Sequence, residues 1–226
     1  MVSGFSITPE QEKAFESILS NKDSVLASVS KESEKFNAFN ALVGSQRVLT
    51  EIKTKISTNF SGQALVVCDP SNSKEVLLAL TTFVKQSNQI PVLVLMNHNY
   101  KTILSDLKKA GVEDRVIIID TVSKSIATVE ETRELIFVDS LRNLTQLQIK
   151  MFNIMEKNHG CAFIFDSIAM LELYHEEEIV FKFIYSLTKI LHKNNVNGFY
   201  ISTTSESSGK LGQFFEETIL LKKFLD

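Results

Sequence analysis

At 226 residues, with 44% hydrophobic and 23% charged side chains, the chain is long enough to bury one substantial core and too ordinary in composition to be fibrous or disordered. A formal net charge of −3 supplies no general attraction for polyanions, so nucleic acid is not an expected partner. The opening MVSGFSITPEQEK has no basic segment leading into an apolar run, and no window approaches 18 uncharged apolar residues. Secretion and membrane spanning are therefore not expected, and a cytoplasmic location is.

From Thr8 to about Phe60 the pattern predicts helices. Thr8 offers a cap, Pro9 suits a first helical turn, and Glu10 lies where the helix dipole favours negative charge. Phe15, Ile18, Leu19, Val25, Leu26 and Val29 recur on one helical face. A second stretch runs through Phe36, Phe39, Leu42, Val43, Val48, Leu49, Ile52 and Ile56, with Gly44 as an expected break. Residues 1–60 thus read as an N-terminal helical extension, either packed on the domain's own sheet or forming a hairpin for a partner.

Residues 61–226 have a different texture, in which short apolar runs alternate with amphipathic stretches. Ala64–Cys68, Val92–Met96, Arg115–Asp120, Leu135–Asp139, Cys161–Asp166 and Gly198–Thr203 predict buried strands. Lys74–Gln86, Tyr100–Ala110, Leu144–Asn158 and Glu176–Asn194 predict the intervening helices. Strand and helix in alternation imply an α/β domain with a largely parallel sheet covered on both faces, whose ligands bind beyond the carboxyl ends of the strands. The polar residues there are Asp69, Asn97, Asp120, Asp139, Asp166, Ser167, Thr203 and Thr204. The segment from Leu211 to Asp226 reads as an edge strand or a short helix.

The first strand leads into Cys68-Asp69-Pro70-Ser71-Asn72-Ser73-Lys74-Glu75, where a nucleotide-binding sheet carries its phosphate loop. A working loop, G-x-x-x-x-G-K-[ST], uses glycines to let backbone N–H groups wrap the phosphates, a lysine for the outer phosphates and a hydroxyl for magnesium. Aligned on Lys74, only the lysine remains. Pro70 removes a donor, Cys68 and Ser73 stand where glycine would be, Asp69 adds negative charge, and Glu75 replaces the hydroxyl. The competing reading is a plain strand-to-helix turn with Asp69 or Ser71 as a cap. Farther on, Cys161-Ala-Phe-Ile-Phe-Asp166-Ser167 delivers an acid to a strand end, as a magnesium-orienting carboxylate requires, although Ile119-Asp120 and Phe137-Val138-Asp139-Ser140 fit nearly as well.

The order of altered loop, LVLMNHNYKTILSDLKKAG, RVIIID, CAFIFDS, long helix and GFYIST resembles the RecA/KaiC-like P-loop ATPase superfamily over about Gln63 to Thr204. The resemblance implies a RecA-like sheet and maps the family's magnesium-orienting strand end onto Asp166 and Ser167. It also shows what is missing. Family members that hydrolyse ATP keep the glycine-rich loop and commonly an acid after the second strand, where this chain has Met96-Asn97-His98-Asn99. Loop-less relatives occur among archaeal proteins whose KaiC-like domains serve as signalling or assembly modules, so an archaeal source is implied as well.

Other chemistries lack support. Cys68 and Cys161 sit inside apolar runs and read as buried free thiols. His98, His159, His175 and His192 form no metal-binding spacing, and no serine occupies a G-x-S-x-G turn. Tyr174-His175-Glu176-Glu177-Glu178 reads as an acidic helix start. The expected function is a non-catalytic RecA/KaiC-like domain acting as a signalling, regulatory or assembly module through a protein partner or self-association, with no cofactor. The alternative is a divergent ATP-binding protein or weak ATPase taking ATP and magnesium at Ser73, Lys74, Glu75, Asp166 and Ser167, with Asp166 on the metal.

Overall fold

A computed structural model describes residues 43–125, 130–203 and 209–221. The chain divides into two compact units, Met1–Ala41 and Leu42–Asp226. The first lies outside the described residues, as do the helical features expected from Thr8 to Leu42.

Within the second unit, helix α1 (43–55) precedes β1 (Gln63–Val67), α2 (Ser73–Gln86), β2 (Ile90–Leu95), α3 (Tyr100–Lys109), β3 (Ile117–Asp120) and β4 (Leu135–Phe137). Then come α4 (Leu144–Lys157), β5 (Cys161–Asp166), α5 (Ala169–Tyr174), α6 (Glu177–Lys193), β6 (Asn197–Ser202) and β7 (Glu217–Leu220). The seven strands form one sheet in the order β4-β3-β2-β5-β6-β1-β7, every neighbouring pair parallel. All strand carboxyl ends therefore lie along one edge.

Side chains alternate between two apolar layers, as the period of two in a strand demands. One layer joins Ala64, Val66, Leu93, Leu95, Ala162, Ile164, Phe199 and Ile201 to α1, α2 and α3; the other joins Leu65, Val92, Val94, Phe163, Phe165 and Tyr200 to α4, α5 and α6. With both faces covered, the strands read as continuous apolar runs. Helix α1 contributes Val48, Leu49 and Ile52 to the first layer, joined by Ile56 just past its end, with Val48 and Ile52 fully buried. Each such aliphatic contributes about 1.5–3 kcal/mol on burial. Gly44, expected to interrupt the helix, lies within α1; a Cβ there would come within 3.0 Å of Glu75 Cγ, so the absent side chain is what admits Glu75.

The amino-terminal edge of the sheet is pinned by a buried polar network. Tyr200 stacks on Phe165 at 4.5 Å and packs on Phe215, while its hydroxyl donates to Gln63 Oε1 at 3.1 Å. Gln63 Nε2 donates to the Val196 carbonyl, and Asn197 Nδ2 donates to the carbonyl of Phe60. A Cβ on Gly198 would overlap Gln63 Oε1, so only glycine fits there. The carboxyl-terminal edge is where the buried acids Asp120 and Asp166 collect.

Candidate functional site: the crevice at the carboxyl ends of β2 and β5

From β2 the chain turns toward β3 by way of α3 on one face. From β5 it turns toward β6 by way of α5 and α6 on the other. The crevice where the connections diverge is the usual ligand position of an open parallel sheet. Register places Leu95 beside Asp166. The Asp166 carbonyl accepts from the amides of Met96 at 2.6 Å and Asn97 at 3.1 Å, folding the segment after β2 over the end of β5.

That fold brings His98 onto Asp166. Its Nδ1 lies 2.6 Å from Asp166 Oδ2, a separation that holds one proton between imidazole and carboxylate. Asp166 is fully buried and His98 is 18% exposed in its side chain, so the pair opens to solvent only through the ring. Asp166 Oδ1 has no hydrogen-bond partner. Ser167, buried beside it across a cis peptide, donates to the Ile201 carbonyl at 3.1 Å.

The other strand-end acids differ. Asp120, equally buried, is fully engaged: it accepts from the amides of Tyr100, Val122 and Ser123 and from the Ser123 hydroxyl, tying β3 to the start of α3. Asp139 is exposed, and hydrogen bonds from Lys124 and Gln146 hold its carboxyl below the ordinary carboxylate range. Asn97 is exposed, Thr203 is half-buried, and Thr204 lies outside the described residues.

After β1 the chain makes a single tight turn, Pro70–Asn72, and enters α2 directly. Asp69 caps that turn rather than α2, which Asn72 precedes without a side-chain cap bond; Asp69 Oδ1 accepts from the Ser71 amide at 3.1 Å and the Ser71 hydroxyl at 2.8 Å. The Asn72 amide donates to the Asp69 carbonyl and the Ser73 amide to the Pro70 carbonyl. Pro70 has no amide hydrogen. The N–H groups of Ser71, Asn72 and Ser73 are thus consumed inside the turn, and none of them faces outward as a phosphate cradle needs.

In the first turn of α2, Lys74 is engaged as well. Lys74 Nζ bonds Asp106 Oδ2 of α3 at 3.1 Å. Ser73 is buried, and Glu75 lies against Gly44 with its Oε2 buried and unpartnered. Cys68 sits on the same sheet face as Asp166. Burial, reinforced by the negative charges of Asp166, Asp69 and Glu75, pushes its thiol up to about 12. The structure therefore brings Asp166 and Ser167 together with a residue the sequence did not single out, His98, while Lys74 is drawn to Asp106, Ser73 is buried and Glu75 keeps a buried, unpartnered oxygen.

Both cysteines are buried free thiols, as read from the sequence. Among the described residues no group of three histidine, cysteine or acidic side chains stands close enough to hold a metal ion. Glu177 and Glu178 occupy the first turn of α6. No described helix is long and apolar enough to cross a membrane.

Among solved structures, the chain is similar to a KaiC-like protein of the hyperthermophilic archaeon Pyrococcus horikoshii OT3, with a TM-score of 0.51 and 14% identity over 71% of this chain and 70% of that one. The fold is that of a KaiC-like, RecA-type domain. No protein-family model matches the sequence, and no curated protein matches it. At such identity the likeness carries the architecture and leaves the chemistry to the site itself.

Proposed function

We propose that the chain is a non-catalytic KaiC-like domain that works as a cytoplasmic signalling, regulatory or assembly module through protein contacts. The observation that carries this reading is the turn after β1, whose amide hydrogens at Ser71, Asn72 and Ser73 are spent on Asp69 and Pro70. A triphosphate would have to break that turn, detach Lys74 from Asp106 and approach the carboxylates of Asp69 and Glu75. These residues do not fit a nucleotide. Nor do they fit metal-assisted hydrolysis, because His98 occupies one oxygen of Asp166 and the end of β2 offers no carboxylate to activate water.

One observation favours the alternative, a divergent ATP-binding protein using Lys74 and Asp166: the unpartnered Asp166 Oδ1, which a bound cation could satisfy. Calorimetry with ATP and magnesium separates the two. The proposed function expects a dissociation constant no tighter than about millimolar, equivalent to roughly −4 kcal/mol. Micromolar binding that disappears in Lys74→Ala, or steady hydrolysis that disappears in Asp166→Asn, establishes the alternative instead.

A further inference from the structure

The molecule carries a second concave region far from the strand-end crevice. Helices α4 and α6 leave between them an apolar groove of about 260 Å³, walled by Ile149, Phe152, Met155, Leu187 and Ile190. Ile149 is 56% exposed and Phe152 47%, both on the outer side of a helix whose inner side supplies Leu147, Met151 and Ile154 to the core. Two large apolar side chains one helical turn apart and facing solvent are the spacing by which one helix receives another.

The groove does not end blindly. Through Phe152 and Met155 it runs into a polar hollow of about 470 Å³ containing Glu156 and His159, and through Asn158 into a recess of about 550 Å³ at the amino ends of β2 and β3. The recess gathers Arg115, Arg133 and Lys157 around a single acid, Glu134. Among the described residues none of these three cations has a salt bridge or side-chain hydrogen bond, although lysines elsewhere on the surface, such as Lys124, Lys150, Lys182 and Lys210, are paired. Arg115 also holds a left-handed backbone, φ 54°, where the two other such non-glycine residues among the described ones are asparagines, the residue such positions favour.

Resting on the reading of the chain as a protein-contact module, we infer that this surface receives an amphipathic helix of a partner protein: its apolar stripe lies on Ile149 and Phe152, and an acidic end reaches Arg115, Arg133 and Lys157. Charge selects this occupant. The groove alone would accept any apolar helix, but uncompensated cations at its mouth repel a basic one and reward glutamates and aspartates. The charge of the whole chain, −3, opposes nucleic acid in the same recess.

The test uses the full chain labelled at its methionine methyls, of which Met155 and Met151 line the groove while Met96 and Met170 do not. The probe is a synthetic helical peptide of about four turns with a leucine stripe and a glutamate-rich end, beside a copy carrying lysine for each glutamate. Saturable shifts at Met155 and Met151 with the acidic peptide alone, weakened tenfold or more in Arg133→Glu/Lys157→Glu and in Phe152→Ser with unchanged melting temperatures, support the inference. Absence of shifts up to millimolar peptide overturns it, as does equal binding of the basic copy. It is equally overturned if light scattering shows a dimer that Phe152→Ser dissolves, because the occupant is then a second copy of the chain. Nucleotide calorimetry on the same sample reports separately on the proposed function, so either idea can fail alone.

Discussion

Removing the imidazole of His98 should cost more stability than neutralising the acid it touches. In His98→Ala, Asp166 keeps a carboxylate that is fully buried and has lost its one side-chain partner. Breaking a buried pair from one side costs about 3–5 kcal/mol. The 18% exposure of the His98 side chain lets water take some of the ring's place, which lowers the expected loss to about 2–3 kcal/mol. In Asp166→Asn the amide oxygen can still accept from His98 and no charge is left behind, so about 1 kcal/mol is expected. The double variant should recover about 1–2 kcal/mol relative to the sum of the singles, because the two groups are in contact. Urea unfolding followed by circular dichroism measures all four chains. Thermal midpoints should follow, at about 2–4 °C per kcal/mol for a chain of this size. If His98→Ala changes stability by less than about 0.5 kcal/mol, or if Asp166→Asn is the more damaging change, the carboxylate was never dependent on the imidazole and the reasoning fails. Rescue of His98→Ala by millimolar magnesium would show that a cation can take the ring's place at Asp166.

Outcomes at three other residues are expected. Lys74→Ala should leave the weak response to ATP and magnesium unchanged, with at most about 1 kcal/mol of stability lost, because its half-exposed pair with Asp106 contributes little; a calorimetric difference between the two proteins would count against this. Cys68, with its thiol pushed up to about 12 mainly by burial, should resist thiol reagents in the folded protein. Its folded-state value lies above the ordinary 9.0, so that contribution to stability is complete below about pH 9 and is lost as pH rises toward 12, while Cys68→Ala should flatten this alkaline slope in denaturant titrations. Ile52→Ala, deleting a fully buried side chain of α1, should destabilise the sheet by about 2–5 kcal/mol; a loss below about 1 kcal/mol would mean that α1 is only loosely attached.

Much of the architecture was legible because a sheet buried on both faces leaves an unmistakable text. The run from Cys161 to Asp166 reproduces β5 residue for residue, and α2, α3, α4 and α6 end within one residue of their expected limits. The sequence reading starts β3 at Arg115, at the head of the run RVIIID, but Arg115's left-handed backbone delays the strand until Ile117. Helix α5 escaped notice: six residues between a strand and an acidic helix start give too short a stretch for a period of 3.6 to emerge. The carboxyl-terminal segment, read as strand or helix, contains a short turn, Gly212–Phe214, followed by the edge strand β7, where alternate exposure leaves only Ile219 buried.

The site was half legible. Asp166 announces itself as the polar end of an apolar run, and the turn after β1 shows its departures from a phosphate loop letter by letter. His98 did not stand out, because nothing local links it to a residue 68 positions away. Its signal lies in strand order: once β2 is known to neighbour β5, the residue three places beyond Leu95 must hang over the partner of Leu95, which is Asp166.

The placement of Tyr200 has an optical consequence. The chain has no tryptophan and four tyrosines, and of these Tyr200 alone is completely enclosed, stacked on Phe165 and donating to Gln63. Burial, with a smaller contribution from the negative charge of Glu216, raises its phenol well above the ordinary value of 10.0. In an alkaline absorbance titration near the phenolate band, this ring should stay silent while the sheet is closed and ionise only when β1 and β6 separate. The domain thus contains its own chromophore for strand opening, with no label to attach and no residue to replace.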